Sequence, residues 1–245
     1  MKPILLIDHE RLAHEPMTLT DRPTSAVIFD CDGVLVNSEE IALEVELKLL
    51  AEAGLAYDRP EYMARFMGSS EESWWQGLEA DAQSRLGRSI VNELRSPLAE
   101  RMRTEMRARL AEIPGATAAI AKVRVPRAVA SSSGMQFLRI KLKRVGHWDL
   151  FAPHVYSTDE VAAPKPAPDL FLLAAEKLGA DPTRCLVIED SVNGVLAGRA
   201  AGMRVWGFIG GRHHHGEDSG RRLTNAGAER VYGSWAEVGE SLEQL

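Results

Sequence analysis

Of the 245 residues only two are cysteine, Cys31 and Cys185. They lie far apart and match no metal-ligand or disulfide spacing. That argues against a disulfide-stapled secreted scaffold and favours a reducing cytoplasm. Long apolar runs are also missing: none approaches the ~20 residues that a membrane-spanning helix needs. The run Pro3-Ile4-Leu5-Leu6-Ile7 is stopped at once by Asp8, His9 and Glu10 and is too short for the core of a signal peptide. Basic charge is not in excess. The net charge is -6, which speaks against a general nucleic-acid or anionic-membrane binder. Internal repeats and low-complexity segments are absent. What is there is an ordinary globular composition, 45% hydrophobic and 26% charged, in a chain long enough for one large domain or a core carrying a smaller one. Residues 1–23 read as an N-terminal extension, and Met17 is a second candidate for the start.

Short apolar runs recur, each ending in polar residues. Ala26-Val27-Ile28-Phe29 stops at Asp30. Arg127-Ala128-Val129-Ala130 runs into Ser131-Ser132-Ser133. His154-Val155-Tyr156 ends at Ser157, Cys185-Leu186-Val187-Ile188 at Glu189-Asp190, and Arg204 to Ile209 at a glycine pair. Runs of this length read as buried parallel strands. Helical patterns lie between them, over Met135 to Val145, Leu170 to Leu178 and Val192 to Ala201, the last two followed by glycine. Strands alternating with such helices predict an α/β fold around a parallel sheet. Ligands of these sheets bind beyond the carboxyl ends of the strands, where Asp30, Ser131, Glu189 and Asp190 fall. Between about Glu39 and Glu112 the alternation stops. The spacing there predicts helices only, over 41–53, 60–66, 71–86 and 91–110. The expected organisation is a core domain over 24–38 and 113–245 with an all-helical cap over 39–112, returning through Ile113-Pro114-Gly115.

The chemistry concentrates in Asp30-Cys31-Asp32-Gly33. Residues two apart share a face while a strand continues; the apolar run ends at Phe29, and a turn, which Gly33 permits, is expected here with both carboxylates serving one site. Two converging aspartates repel, and a hard cation with oxygen ligands relieves that repulsion. Glu189-Asp190 adds a second acidic pair at another strand end. Alone, each piece has an ordinary explanation: Asp-x-Asp as a turn, Lys165-Pro166 as a loop, the serine run as a helix start. Their order on one alternating chain is what raises them above it.

Asp30-x-Asp32-Gly33-Val34-Leu35, Ser131, Lys165 in Ala163-Pro164-Lys165-Pro166, and Glu189-Asp190-Ser191-x-x-Gly194 resemble, in order, the four signatures of haloacid dehalogenase (HAD) phosphatases. The resemblance covers about residues 25 to 235. The helical insertion is similar to the cap of the β-phosphoglucomutase-like subgroup. The resemblance implies a Rossmann-like core and a Mg²⁺-dependent phosphatase. Asp30 would attack phosphorus and become an aspartyl-phosphate, and Asp32 would serve as acid and base. Ser131 and Lys165 would contact the phosphate and its charge. Asp30, Asp32 (through its carbonyl), Glu189 and Asp190 would serve the metal. Ser38, Gly68, Ser69, Ser132 and Ser133 are the candidate substrate contacts. The implied substrate is a small phosphorylated metabolite, a sugar or polyol phosphate. Composition and charge add the expectation of a cytoplasmic protein without nucleic-acid or membrane partners; a monomer is preferred, with an oligomer left open.

A phosphomutase is the alternative. That family has a histidine where this chain has Ala42 and an arginine where it has Glu71, and both departures count against it. A non-enzymatic binding protein on the same fold would be expected to lack Asp30, Asp32 or Asp190, and all three are present. His213-His214-His215 reads as a surface loop, because adjacent side chains seldom converge on one ion. Arg101, Arg103, Arg107 and Arg109, and likewise Arg139, Lys141, Lys143 and Arg144, read as solvated faces. Cys31 is expected to be buried and inert, and one of Trp74 and Trp75 to sit in a helical core.

Overall fold

The computed structural model describes residues 23–66, 71–214 and 218–245. Gly68, Ser69 and His215, and all but the last residue of the N-terminal extension, lie outside the described residues.

Six parallel strands form one sheet: β1 (Ala26–Phe29), β2 (Arg127–Ser131), β3 (Val155–Ser157), β4 (Cys185–Glu189), β5 (Arg204–Phe208) and β6 (Arg230–Tyr232). Their order is β3-β2-β1-β4-β5-β6. Because the chain goes one way from β1 to reach β2 and β3 and the other way to reach β4 to β6, the carboxyl end of β1 lies at the topological switch point, where the loops part and leave a crevice. The register sets Phe29 beside Val129 on one side and Ile188 on the other. Asp30, Ser131 and Glu189 are thereby brought to one edge.

Strand alternation divides the core. Val27 and Phe29 join one apolar cluster with Phe151, Trp206, Trp235 and Val238. Ala26 and Ile28 join the other, with Leu170, Phe171, Val195 and Val205. Helices α5 (Ala116–Ile120), α6 (Met135–Arg144) and α7 (Trp148–Phe151) follow the first strand's long excursion. Then come α8 (Asp169–Leu178), α9 (Val192–Ala200), α10 (Asp218–Ala226) and α11 (Trp235–Leu242). Helix α8 stops at Gly179 with φ 65, the left-handed end that glycine provides.

Between β1 and α5 the chain forms α1 (Ser38–Glu52), α2 (Arg59–Phe66), α3 (Glu71–Leu86) and α4 (Val91–Arg109). The spacing foresaw all four to within a few residues. They bury their own apolar cluster, which includes Leu50, Leu55, Tyr62, Trp75, Leu78 and Leu94. Trp75 is in that core, while the half-buried Trp74 donates its indole N–H to the Tyr62 hydroxyl at 2.6 Å. Two backbone crossings join this segment to the sheet: Asn37 N–H donates to Ala111 O at 3.2 Å and Ile113 N–H to Leu35 O at 2.9 Å. The final strand β6 and helices α10 and α11 were not foreseen. Among the described residues, no helix is long and apolar enough to cross a membrane.

Candidate active site

The expected turn follows β1 directly. Leu35 and Val36 N–H groups both donate to Cys31 O, and Gly33 N–H donates to Val36 O at 2.9 Å. Gly33 has φ 75, and a Cβ there would fall 1.8 Å from Asp190 Oδ2. Glycine is therefore needed twice at this point, for the backbone angle and for the approach of Asp190. Trp235 fixes the turn from beneath, its indole N–H donating to Val34 O at 2.9 Å.

Lys165 lies at the centre. Its ammonium donates to Asp30 Oδ1 at 2.6 Å, Glu189 Oε1 at 2.7 Å and Ala130 O at 3.0 Å. Burial alone would lower its pKa, but Asp30 and Glu189 overcome this and raise it, so it stays charged. Glu189 has both oxygens engaged, the second accepting from Ser191 N–H at 2.8 Å and Ser191 Oγ at 2.9 Å. A Cβ on Gly194 would fall 1.8 Å from Glu189 Oε1, so the first turn of α9 admits this carboxylate only because position 194 is glycine.

Asp30 is pushed well above the usual carboxylate range, by burial foremost. Lys165 pulls it down, while Glu189, Asp190 and Asp32 push it up again. Asp32 goes the other way. Burial favours its neutral form, but the Lys141 charge and hydrogen bonds from Lys141, Ser38 and Ser133 prevail and leave it below the usual range. Ser133 Oγ donates to Asp32 Oδ2 at 2.8 Å, Ser131 Oγ to the same oxygen at 3.4 Å, and Ser38 Oγ and Lys141 Nζ donate to Oδ1. Ser131 is fully buried, and Ser132 is exposed.

Two expectations are corrected here. Lys141 is not on a solvated face: it is 7% exposed and ion-paired with Asp32. The signal was its spacing, since it shares a face with the buried Leu138 and Leu142. Its neighbours Arg139 and Lys143 do cover the Trp148 ring from the outside. His213 and His214 do not stand free in a surface loop. Both Nε2 atoms face Asp190 Oδ2, at 3.0 and 3.4 Å. A turn in which His214 N–H donates to Gly211 O at 3.1 Å swings the adjacent rings to one side. Burial favours the neutral form of Asp190, but the two imidazoles outweigh it and hold the carboxyl low. The basic residues of α4 match their expectation, with Arg101 paired to Glu52 and Arg109 to Glu44 in exposed ion pairs. Cys31 is buried, and burial foremost keeps its thiol well above its usual range.

A buried cluster of carboxylates and lysines thus stands at the switch point of the parallel sheet, where folds of this kind bind their ligands. Residues 24–202 match the family model for haloacid dehalogenase-like hydrolase. The chain is 30% identical over 207 residues to the phosphorylated carbohydrates phosphatase of Thermotoga maritima, covering 83% of this chain and 91% of that one. It is 32% identical over 185 residues to the bifunctional riboflavin kinase/FMN phosphatase of Arabidopsis thaliana, of whose length it spans 48% and which covers 74% of this chain. The crystal structure of a HAD family hydrolase from Deinococcus radiodurans, with bound phosphate and sodium, superposes with a TM-score of 0.76 at 36% identity, covering 91% of this chain and 96% of that one. The chain belongs to the haloacid dehalogenase-like hydrolase family and is an enzyme of its phosphatase type.

Proposed function

We propose that the protein is a Mg²⁺-dependent phosphatase that hydrolyses a small phosphorylated metabolite, of the sugar- or polyol-phosphate class, through an aspartyl-phosphate on Asp30. The observation that carries this is the convergence of Asp30, Asp32, Lys165 and Asp190 at one strand edge. The phosphorylated carbohydrates phosphatase of Thermotoga maritima among its relatives supports the substrate class.

The donor set fits Mg²⁺. Asp30, Asp190 and the Asp32 carbonyl offer oxygens only, as this ion prefers. Asp30 is pushed upward by Glu189, Asp190 and Asp32 on top of its burial, a repulsion that a divalent cation would relieve. When bound, Mg²⁺ would neutralise charge between the Asp30 carboxylate and the phosphate.

The chain's own residues do the rest. An Asp30 carboxylate oxygen attacks phosphorus, the P–O bond to the leaving alcohol breaks, and water later cleaves the acyl phosphate. Asp32 gives a proton to the leaving oxygen and takes one from the attacking water. Lys141 favours its ionised form and so favours the second half. Lys165, fixed by Glu189, holds positive charge beside the transferred group. Ser131, together with Ser38 and Ser133, forms the hydroxyl edge of the site. Helices α1 to α4 act as a cap that excludes water during transfer. Two unpaired cysteines, both buried, agree with a cytoplasmic setting.

The test is phosphate release across a panel of sugar, polyol and nucleotide monophosphates. Release is expected to stop in chelator and return with Mg²⁺. Undiminished release in chelator would overturn the metal requirement.

A further inference from the structure

Asp190 has more donor atoms around it than an oxygen-only site requires. One ring nitrogen each of His213 and His214 and an oxygen of Asp190 all lie within 4.8 Å of one another. The two nitrogens are 3.0 and 3.4 Å from the same carboxylate oxygen. Neighbouring corners of a tetrahedral site with bonds of about 2.0–2.1 Å are about 3.3 Å apart, so both nitrogen-to-oxygen edges already have the spacing of such a site. His214 Nε2 is buried, and its contact with Asp190 Oδ2 at 3.4 Å is not a well-formed hydrogen bond. A buried imidazole nitrogen left so is costly unless something satisfies it.

The loop is seated rather than loose. Arg212 N–H donates to Asn37 Oδ1 at 3.1 Å. A Cβ on Gly33 would fall 2.6 Å from His213 Cε1, and one on Gly211 would fall 2.9 Å from it. Two glycines therefore let His213 reach the turn after β1. Imidazole nitrogen suits Zn²⁺, Co²⁺ and Ni²⁺, whereas Mg²⁺ keeps to oxygen.

We propose that His213, His214 and Asp190 form a binding site for a transition-metal ion of the Zn²⁺, Co²⁺ and Ni²⁺ class, in competition with Mg²⁺ for Asp190. The inference rests on the reading that Asp190 serves the active-site metal. It makes the enzyme's activity depend on which ion holds that carboxylate, with a tightly held transition ion displacing Mg²⁺.

The test is a titration of the metal-free, full-length protein with Co²⁺ alone, read by the visible d–d absorption of the ion and by calorimetry. One Co²⁺ per chain is expected, with an intense visible band. Affinity is expected to fall by at least about tenfold in His213→Gln/His214→Gln and again in Asp190→Asn, with far-ultraviolet circular dichroism confirming that both variants fold. Absence of the band in the wild type would overturn the proposal. So would Co²⁺ affinity at the wild-type level in the histidine variant. Wild-type affinity in Asp190→Asn would overturn it too, since the histidine run would then be binding by itself. Mg²⁺-supported phosphate release from the same wild-type preparation reads the phosphatase separately. Release without a Co²⁺ band sinks only the histidine site, and a Co²⁺ band without release sinks only the phosphatase.

Discussion

Lys141→Met exchanges a buried ammonium for an apolar side chain of similar length and leaves Asp32 charged among Ser38, Ser131 and Ser133. Breaking a buried ion pair from one side costs about 3–5 kcal/mol, because the remaining charge is uncompensated. The hydroxyl donors to Asp32 soften this, so about 3 kcal/mol is expected at neutral pH. A lysine on a solvated face would cost within about 0.5 kcal/mol. At a urea dependence of about 2–3 kcal/mol/M the midpoint drops by about 1 M. The pH dependence has a definite sign. In the wild type Asp32 lies below its ordinary range. Its stabilisation is present above the ordinary carboxylate pKa and is lost as pH falls through the lowered one. In Lys141→Met burial acts without the lysine, Asp32 moves up, and the deficit against wild type grows as pH rises from acid to neutral. Asp32→Asn/Lys141→Met, which leaves no lone charge, recovers most of the loss. Urea unfolding at several pH values reads all of this. A single variant within 0.5 kcal/mol of wild type at pH 7, by the same estimate, would refute the buried pair.

Glu46, whose carboxyl burial pushes up to about 7 against the opposing Tyr62 hydrogen bond, makes the protein lose stability as pH rises from about 4.5 through 7. The loss is about 3 kcal/mol; Glu46→Gln should flatten the curve, and parallel curves would count against it. Gly194→Ala forces a methyl onto the Glu189 carboxylate; phosphate release should fall by about 10²-fold through displacement of Lys165, and an unchanged rate would show that Glu189 does not set the position of that lysine.

The strands and the helices that flank the site were legible because their apolar spacing is strong and their polar residues stand at the strand ends. Asp30, Ser131 and Glu189 could be placed at one edge from the strand-end rule alone. The rule applies equally to β5, whose end leads into Gly210-Gly211 and the histidines. The convergence of His213 and His214 stayed hidden because it depends on a turn that makes neighbouring side chains share a direction. Lys141 was obscured by composition: a run with four basic residues looks solvated until the Leu138-Lys141-Leu142 spacing is given priority. Strand β6 is three residues long and begins with an exposed arginine, too short and too polar for periodicity to detect. The ion pairs of Lys165 with Asp30 and Glu189 depend on distances that no spacing encodes.

The central claim is that Asp30 is the nucleophile. Its most direct test compares phosphate release by wild type and Asp30→Asn, with Mg²⁺, on the best substrate of the panel, after urea unfolding confirms that both are folded. The account predicts release from wild type and a loss of about 10³-fold or more in the variant. Release by Asp30→Asn at a rate near wild type would contradict it.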